Sequence, residues 1–347
     1  MTAARPATIA RAEGRCAAAV TIEAVNPLEH AREIKELFLA HQRPEFPDFF
    51  DRTYPGAVAR GAVSWVGRDA AGRVVMHIAC MRRRFKFGDR DVVAGLLANL
   101  MVATTHRSFF PALALINRLV RDTQAGGVTD FLHADPNEQA RTLLRGVHFV
   151  RVGTLQRYVL PVCDARPVVD AGVRLFHAVL RVAGGLGPRA TVVAHPAAAV
   201  RAETFSVPHG ATKGARLAAY HDRALYVSRL QGYPGDRDWW LTCPELAVLV
   251  RGPDASGHAS LPAMRWTSPL PFRALIPGLV AELRRRGCRR LYVITVAESD
   301  LGRTLRRSGF IPRRDTVPLF ALPLTPLGEE CARSIRDWQI TDLDCDR

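Results

Sequence analysis

Two residues at the end of one short apolar run can do proton chemistry: His133 and Asp135, in Phe131-Leu132-His133-Ala134-Asp135. An imidazole titrates near neutrality and is a natural general base. The pair is the best acid-base candidate in the chain. Each also has a structural explanation. Asp135-Pro136-Asn137-Glu138 carries the cap, Pro and Glu order of a helix start, which accounts for Asp135 without catalysis, and a partly buried, hydrogen-bonded histidine accounts for His133. A second constellation lies in Arg43–Gly56, where Glu45, Asp48, Asp51 and Tyr54 stand among Phe46, Phe49 and Phe50. Carboxylates among aromatic rings suit an ammonium or a sugar ring, so Asp48, Asp51 and Tyr54 are candidate substrate contacts, or anchors of a folded surface loop. Asn99 is polar amid apolar neighbours and faces either a ligand or solvent.

Around these residues the hydrophobic period alternates between strand and helix. Ala18–Val25 reads as a strand, and Asn26-Pro27-Leu28-Glu29 opens a helix continued by Ile34, Leu37, Phe38 and His41. Val63–Gly67, Arg73–Met81 and Val92–Val102 read as strands joined by turns at Asp69–Gly72 and Gly88–Asp91, and Arg82–Phe87 as an exposed hairpin strand with a solvated face. Leu113, Leu115, Ile116, Leu119 and Val120 mark a helix that Pro111 can start without losing a needed N–H. Strand Val128–Ala134, a helix burying Ala140, Leu143, Leu144 and Val147, and strand Val152–Val162 follow.

The apolar stretch Val168–Leu186, with Arg174 and Arg181 seven apart, is an amphipathic helix that packs as a linker or lies on a membrane surface. Further strands are expected near Arg201–Phe205 and at Trp239–Thr242, Leu246–Arg251, Ala259–Thr267, Leu291–Val296 and Thr316–Leu322, with helices at Phe272–Arg286 and Asp300–Arg307. The segment after Pro326 has no strong pattern.

At 347 residues the chain exceeds what one core usually serves, so two domains of roughly 150 residues are expected. A net charge of +15 would ordinarily point to nucleic acid or an anionic membrane. Yet Lys35, Lys86 and Lys213 are the only lysines against 45 arginines, a skew that a GC-rich coding bias produces together with abundant Ala, Gly and Pro. Aromatics do not interleave with the arginines, except at Arg82-Arg83-Arg84-Phe85-Lys86-Phe87, so DNA is not an expected partner. The seven cysteines form no CxxC pair, which indicates neither a zinc site nor a disulfide framework and fits a reducing cytoplasm. Residues 1–17 carry Arg5, Arg11 and Arg15 without a signal-peptide core, and no run of about 18 apolar residues would span a membrane. A cytoplasmic protein, soluble or peripheral, without a metal is expected.

The order strand, break, helix, strand, helix, strand over Ala94–Pro161, with Asp135-Pro136-Asn137 and Phe149 before Tyr158-Val159-Leu160-Pro161, resembles the acyl-CoA half of the GNAT (GCN5-related N-acetyltransferase) superfamily. The layout returns in weaker form at Arg290–Val296 and Ser308-Gly309-Phe310. The resemblance implies an α/β (α+β) protein of two tandem GNAT-like units, each a mixed, mostly antiparallel sheet flanked by helices. The expected division is a disordered 1–17, a donor-binding unit over 18–162, a linker over 163–200, a degenerate unit over 201–325 and a tail over 326–347.

In that family the pantetheine arm of an acyl-CoA lies between the splayed fourth and fifth strands, and its pyrophosphate sits on the next helix N-terminus, where free N–H groups favour an anion. The resemblance therefore assigns Val102, Thr104, His106, Arg107, Ser108, Ala112 and Asn137 to acetyl-CoA or a longer acyl-CoA, with Asn99 near the pantetheine amides or the substrate. The loop Arg107-Ser108-Phe109-Phe110-Pro111-Ala112 matches the family pattern at Arg107 and Ala112. Phe110 replaces its glycine and Pro111 removes a donor; Phe109 and Phe110 either pack the helix start or reshape the site.

The family's usual base, a Glu on the fourth strand, is absent, and Leu144 and Leu305 stand where its acid Tyr would be. In the second unit Arg265–Phe272 carries two prolines and no glycine, which implies no CoA site. Tyr226–Pro234 is similar to a motif of tandem GNAT proteins from polysaccharide gene neighbourhoods. The function implied is acyl transfer to an amine such as an amino sugar or a cell-envelope precursor. Alternatives are a Fem-type transferase drawing on aminoacyl-tRNA and a non-catalytic ligand- or partner-binding GNAT-like protein.

Overall fold

A computed structural model describes residues 20–164, 166–183, 193–196, 217–219, 238–243, 246–266 and 276–340. The first half of the chain gives β1 (Thr21–Val25), α1 (Ala31–Leu39), α2 (Phe46–Val58), β2 (Val63–Arg68), β3 (Val74–Phe87), β4 (Arg90–Val102), α3 (Phe109–Gly126), β5 (Phe131–Ala134), α4 (Glu138–Gly146) and β6 (Val150–Pro161). The second half gives α5 (Pro167–Ala183), β7 (Val193–Pro196), β8 (Leu217–Ala219), β9 (Asp238–Cys243), β10 (Leu246–Arg251) and β11 (His258–Trp266). It continues with α6 (Ile276–Arg285), β12 (Arg290–Val296), α7 (Asp300–Arg307), β13 (Ile311–Pro323), α8 (Pro326–Arg333) and β14 (Trp338–Gln339).

Among the described residues the strands join one mixed, mostly antiparallel sheet in the order β1-β2-β3-β4-β5-β13-β6-β12-β11-β10-β9-β7, with β8 and β14 branching from β3. The parallel ladders are β4 with β5, β11 with β12, and β8 with β14. At the centre β6 of the first half and β13 of the second each sit against the other half. β13 lies between β5 and β6, antiparallel to both, while β6 pairs with β12. A proline is normally excluded from a central strand because it cannot donate to the ladder. β13 nevertheless carries Pro312 and Pro318, and its register against β6 shifts between Pro312 and Thr316 and again between Leu319 and Phe320.

Alternation along β3 sorts the two faces of the first half. Ile78 and Cys80 pack with Leu115, Ile116 and Leu119 of α3 and Leu144 of α4. Ala79 and Met81 pack with Ile34 and Phe38 of α1 and Phe46, Phe50 and Tyr54 of α2. Each such fully buried Leu, Ile or Phe stabilises the fold by about 1.5–3 kcal/mol relative to exposure. The cluster under β12 and α6 is separate, built on Tyr158, Leu160, Leu291, Val293, Leu279 and Leu283.

Several expectations are corrected. Arg43–Gly56 is not a loop: Phe46, Phe50, Tyr54 and Ala57 lie at helical spacing and their burial drives α2, although Pro55 stands inside it. The first helix begins at Ala31, not at Asn26; Asn26 instead closes a preceding turn, its Oδ1 accepting from the Leu28 amide at 3.1 Å and its Nδ2 donating to Glu29 at 2.9 Å. Arg82–Phe87 does form a hairpin with β4 and Arg84 is exposed, but the strand is not an exposed one, since Arg83, Phe85 and Phe87 are buried and β8 pairs with Phe85–Phe87. The segment after Pro326 is folded: α8 is capped by the Thr325 side chain, and Trp338 and Ile340 are buried against Phe131, Val296 and Leu319. The stretch 163–200 contains α5 and also β7, which pairs with β9. The strand expected at Arg201–Phe205 and the motif Tyr226–Pro234 lie outside the described residues.

Candidate functional site

β4 and β5 are paired only from Ala94–Leu96 to Phe131–His133, yet β4 runs on to Val102. Beyond Leu96 the two strands part, and Ala98, Asn99, Leu100 and Met101 are each half-exposed along one wall of the opening. The Ala103 amide donates to the Val75 carbonyl at 2.8 Å and ends the wall. A short 3-10 turn at Thr104–His106 then leads into α3. Ser108 is the N-cap of α3, in extended conformation and with no side-chain hydrogen bond to the helix. The N-terminus of α3 thus begins beside exposed Thr104, Arg107 and Ser108, and the positive end of a helix dipole favours an anion. The same divergence recurs at β11, which pairs with β12 only through His258–Ser260 and continues to Trp266.

Val102 and Ala112 face the α3 core. His106 is half-buried, its Nδ1 2.9 Å from the Thr105 hydroxyl. Phe110 is 76% exposed, in the first turn of α3. Half-exposed Asp135 directly follows β5. The residue that caps α4 is Asn137, not Asp135: the Asn137 Oδ1 accepts from the Ala140 amide at 2.9 Å.

His133, expected to border the cleft, is 1% exposed and lies in the interior with its ring 6.0 Å from Phe131 and 6.4 Å from Phe85. Its alternation on β5 turns it to the Phe131 side, under the C-terminal segment. Asp48 and Asp51 are exposed on the outer side of α2, and Asp51 pairs with Lys35 Nζ at 2.5 Å. Tyr54 and Asn99 do come together: Asn99 Nδ2 donates to the Tyr54 hydroxyl at 3.1 Å. Tyr158 is a core residue, its hydroxyl accepting from Arg306 Nε at 3.2 Å. Among the described residues no group of three or more His, Cys, Asp or Glu could hold a metal ion, and no helix is long and apolar enough to cross a membrane.

No family model and no curated protein matches the sequence. Solved structures are similar. A GCN5-related N-acetyltransferase from Kribbella flavida superposes with a TM-score of 0.63 at 14% identity, covering 90% of this chain and 74% of that one. One from Anabaena variabilis gives 0.61 at 11% identity over 90% and 75%. The fold resembles that of the GNAT acetyltransferases. The tandem GNAT protein from the clavulanic acid biosynthesis pathway aligns with a TM-score of 0.51 at 12% identity over 89% of this chain and 99% of its own.

Beneath the GNAT-like opening lies a group that sequence reading overlooked. His77, in the apolar run Val74–Met81, is fully buried, with Nδ1 2.9 Å from the Asn99 carbonyl and Nε2 3.0 Å from the Ser64 hydroxyl. The available signal was a histidine inside an apolar strand opposite a strand interrupted by Asn99. Burial takes its pKa down to about 4. The unfolded chain, with histidine near 6.5, binds a proton that the native state refuses. The stability from neutral His77 is thus complete above about pH 6.5 and is lost as the pH falls towards 4, a change of about 3 kcal/mol.

A separate acid step belongs to Glu33, which Arg68 and His30 hold down to about 2 by hydrogen bonds. Its contribution is present above its ordinary value of 4.5 and fades as the pH falls through 2. Urea titrations at pH 7, 5 and 4 are expected to show the first loss, and a His77→Leu variant to lack it; equal slopes in both proteins would contradict the assignment.

Proposed function

We propose that the chain is an acyl-CoA-dependent N-acyltransferase built from two tandem GNAT-like units, 18–162 and 201–325, joined through 163–200. The first unit carries the donor site and the second is degenerate. The single observation behind this reading is the opening past Leu96, walled by Ala98–Met101 and ending at an α3 N-terminus with no side-chain cap. In this reading the α3 amides, Arg107, Thr104 and Ser108 hold the pyrophosphate, and the β4 wall receives the pantetheine arm. An amine acceptor, an amino sugar or a cell-envelope precursor, reaches the thioester carbon from the α2 side. The new C–N bond forms as the C–S bond breaks; the amine proton passes to a base, for which half-exposed Asp135 is the candidate, and the departing thiolate takes up a proton.

The tandem reading is supported by the parting of β11 from β12 and by the tandem GNAT protein noted above, 99% of which aligns. A second reading, ligand binding without turnover, is favoured by one observation: Leu144 and Leu305, at the positions of the family's acid Tyr, are buried in core clusters.

Calorimetric titration with acetyl-CoA and a longer acyl-CoA is expected to show saturable binding. Arg107→Ala is expected to weaken it roughly tenfold or more, the loss of one charge-assisted hydrogen bond. No binding of either donor would refute the proposal; binding without turnover across an amine panel would move the assignment to the second reading.

A further inference from the structure

β4 is irregular where it leaves β5. Ala98 pairs with Ala79 and Met101 with His77, so two residues, Asn99 and Leu100, stand opposite Ile78 alone. This is a bulge, and Asn99 takes φ 56° within it. A left-handed residue with a side chain is strained, less so for Asn, and persists where its surroundings fix it.

Here it is held at two points. The Asn99 carbonyl turns to the α1–α2 face and meets His77 Nδ1 at 2.9 Å, and its side chain donates to Tyr54 of α2 at 3.1 Å. A carbonyl oxygen only accepts, so Nδ1 carries the His77 proton and Nε2 accepts from Ser64. The ring is fixed edge-on to Phe38, centroids 5.6 Å apart, and cannot turn without leaving both bonds.

We infer that His77, together with Tyr54, is a positioning group that fixes the left-handed bulge at Asn99, and through it the shape of the wall against which the acyl donor lies. The inference rests on the donor-site reading of the opening. It also ties α2 to that wall, so that a shift of α2 moves Asn99.

Two arms test it. Nitrogen NMR of the full chain at pH 7 reads the bond directly: His77 protonated at Nδ1 and bare at Nε2 is expected, and the opposite tautomer overturns the inference. Calorimetric titration with acetyl-CoA reads the consequence. His77→Leu is expected to weaken binding about tenfold or more through misplacement of the wall, and His77→Asn, which keeps a donor where Nδ1 stood, to recover most of it. A packing role alone would leave the affinity of the folded Leu variant unchanged, and that result would also overturn it. If His77→Leu does not fold, Tyr54→Phe removes only the hydroxyl; a smaller loss of affinity supports the inference, and no loss removes Tyr54 from it. Should the native protein bind no acetyl-CoA, the donor-site reading fails, while the tautomer still decides whether His77 holds the bulge.

Discussion

Gly328→Ala is expected to destabilise the protein by about 3 kcal/mol or more, the upper range for forcing an atom into a packed site. A Cβ at Gly328 would lie 1.9 Å from the Asp130 carbonyl oxygen and 2.7 Å from its carbon, both backbone atoms that cannot step aside. That carbonyl accepts from the Leu324 and Thr325 amides at 2.8 and 3.1 Å. The Asp130 side chain accepts from the Val93 amide at 2.8 Å and from the Thr325 hydroxyl at 2.9 Å, and the same hydroxyl caps α8 at the Gly328 amide. Asp130 thus joins β4, the start of β5 and the end of β13, and displacing α8 disturbs all of them. Gly172→Ala on α5 is the control: nothing lies within 4 Å of its Cβ, and alanine should stabilise the helix by about 0.5–1 kcal/mol. Chemical denaturation of both variants checks the pair, and equal stabilities would contradict the packing described.

The larger effect is expected from dividing the chain. Residues 1–164 alone would contain β6 without β12 and β13, its only partners among the described residues, and would leave β5 with a bare edge. An unpaired edge between central strands invites association with other chains. The fragment is therefore expected to aggregate or to unfold without cooperativity, and co-expression with residues 165–347 to restore a soluble complex of both pieces. A monomeric 1–164 fragment with cooperative unfolding would contradict the exchanged arrangement of β6 and β13.

That exchange was not legible in the sequence. Alternating apolar residues mark β6 and β13 as strands, but strand neighbours are chosen by tertiary packing, and Pro312 and Pro318 argued against a central place for β13. Local grammar served better. Pro111 at the start of α3, the apolar face of α4 and the break after Ala134 appear where the pattern put them. α2 was hidden because Pro47, Pro55 and the three acids Glu45, Asp48 and Asp51 read as a loop, whereas Phe46, Phe50 and Tyr54 at four-residue spacing carry the helix. Within the candidate site, Arg107 and the α3 start were visible as a motif. The interior place of His133 was not, because a four-residue strand gives no sign of which face it turns to solvent. His77 was missed for a different reason: its partners are a backbone carbonyl and a hydroxyl on other strands.

Amide hydrogen exchange of the full chain, with and without saturating acetyl-CoA, tests the central claim most directly. Protection confined to the β4 wall from Ala98 to Val102 and to the first turn of α3, Phe109 to Ala112, is the result expected of a donor held in the opening between β4 and β5. Protection elsewhere, or none, would contradict it.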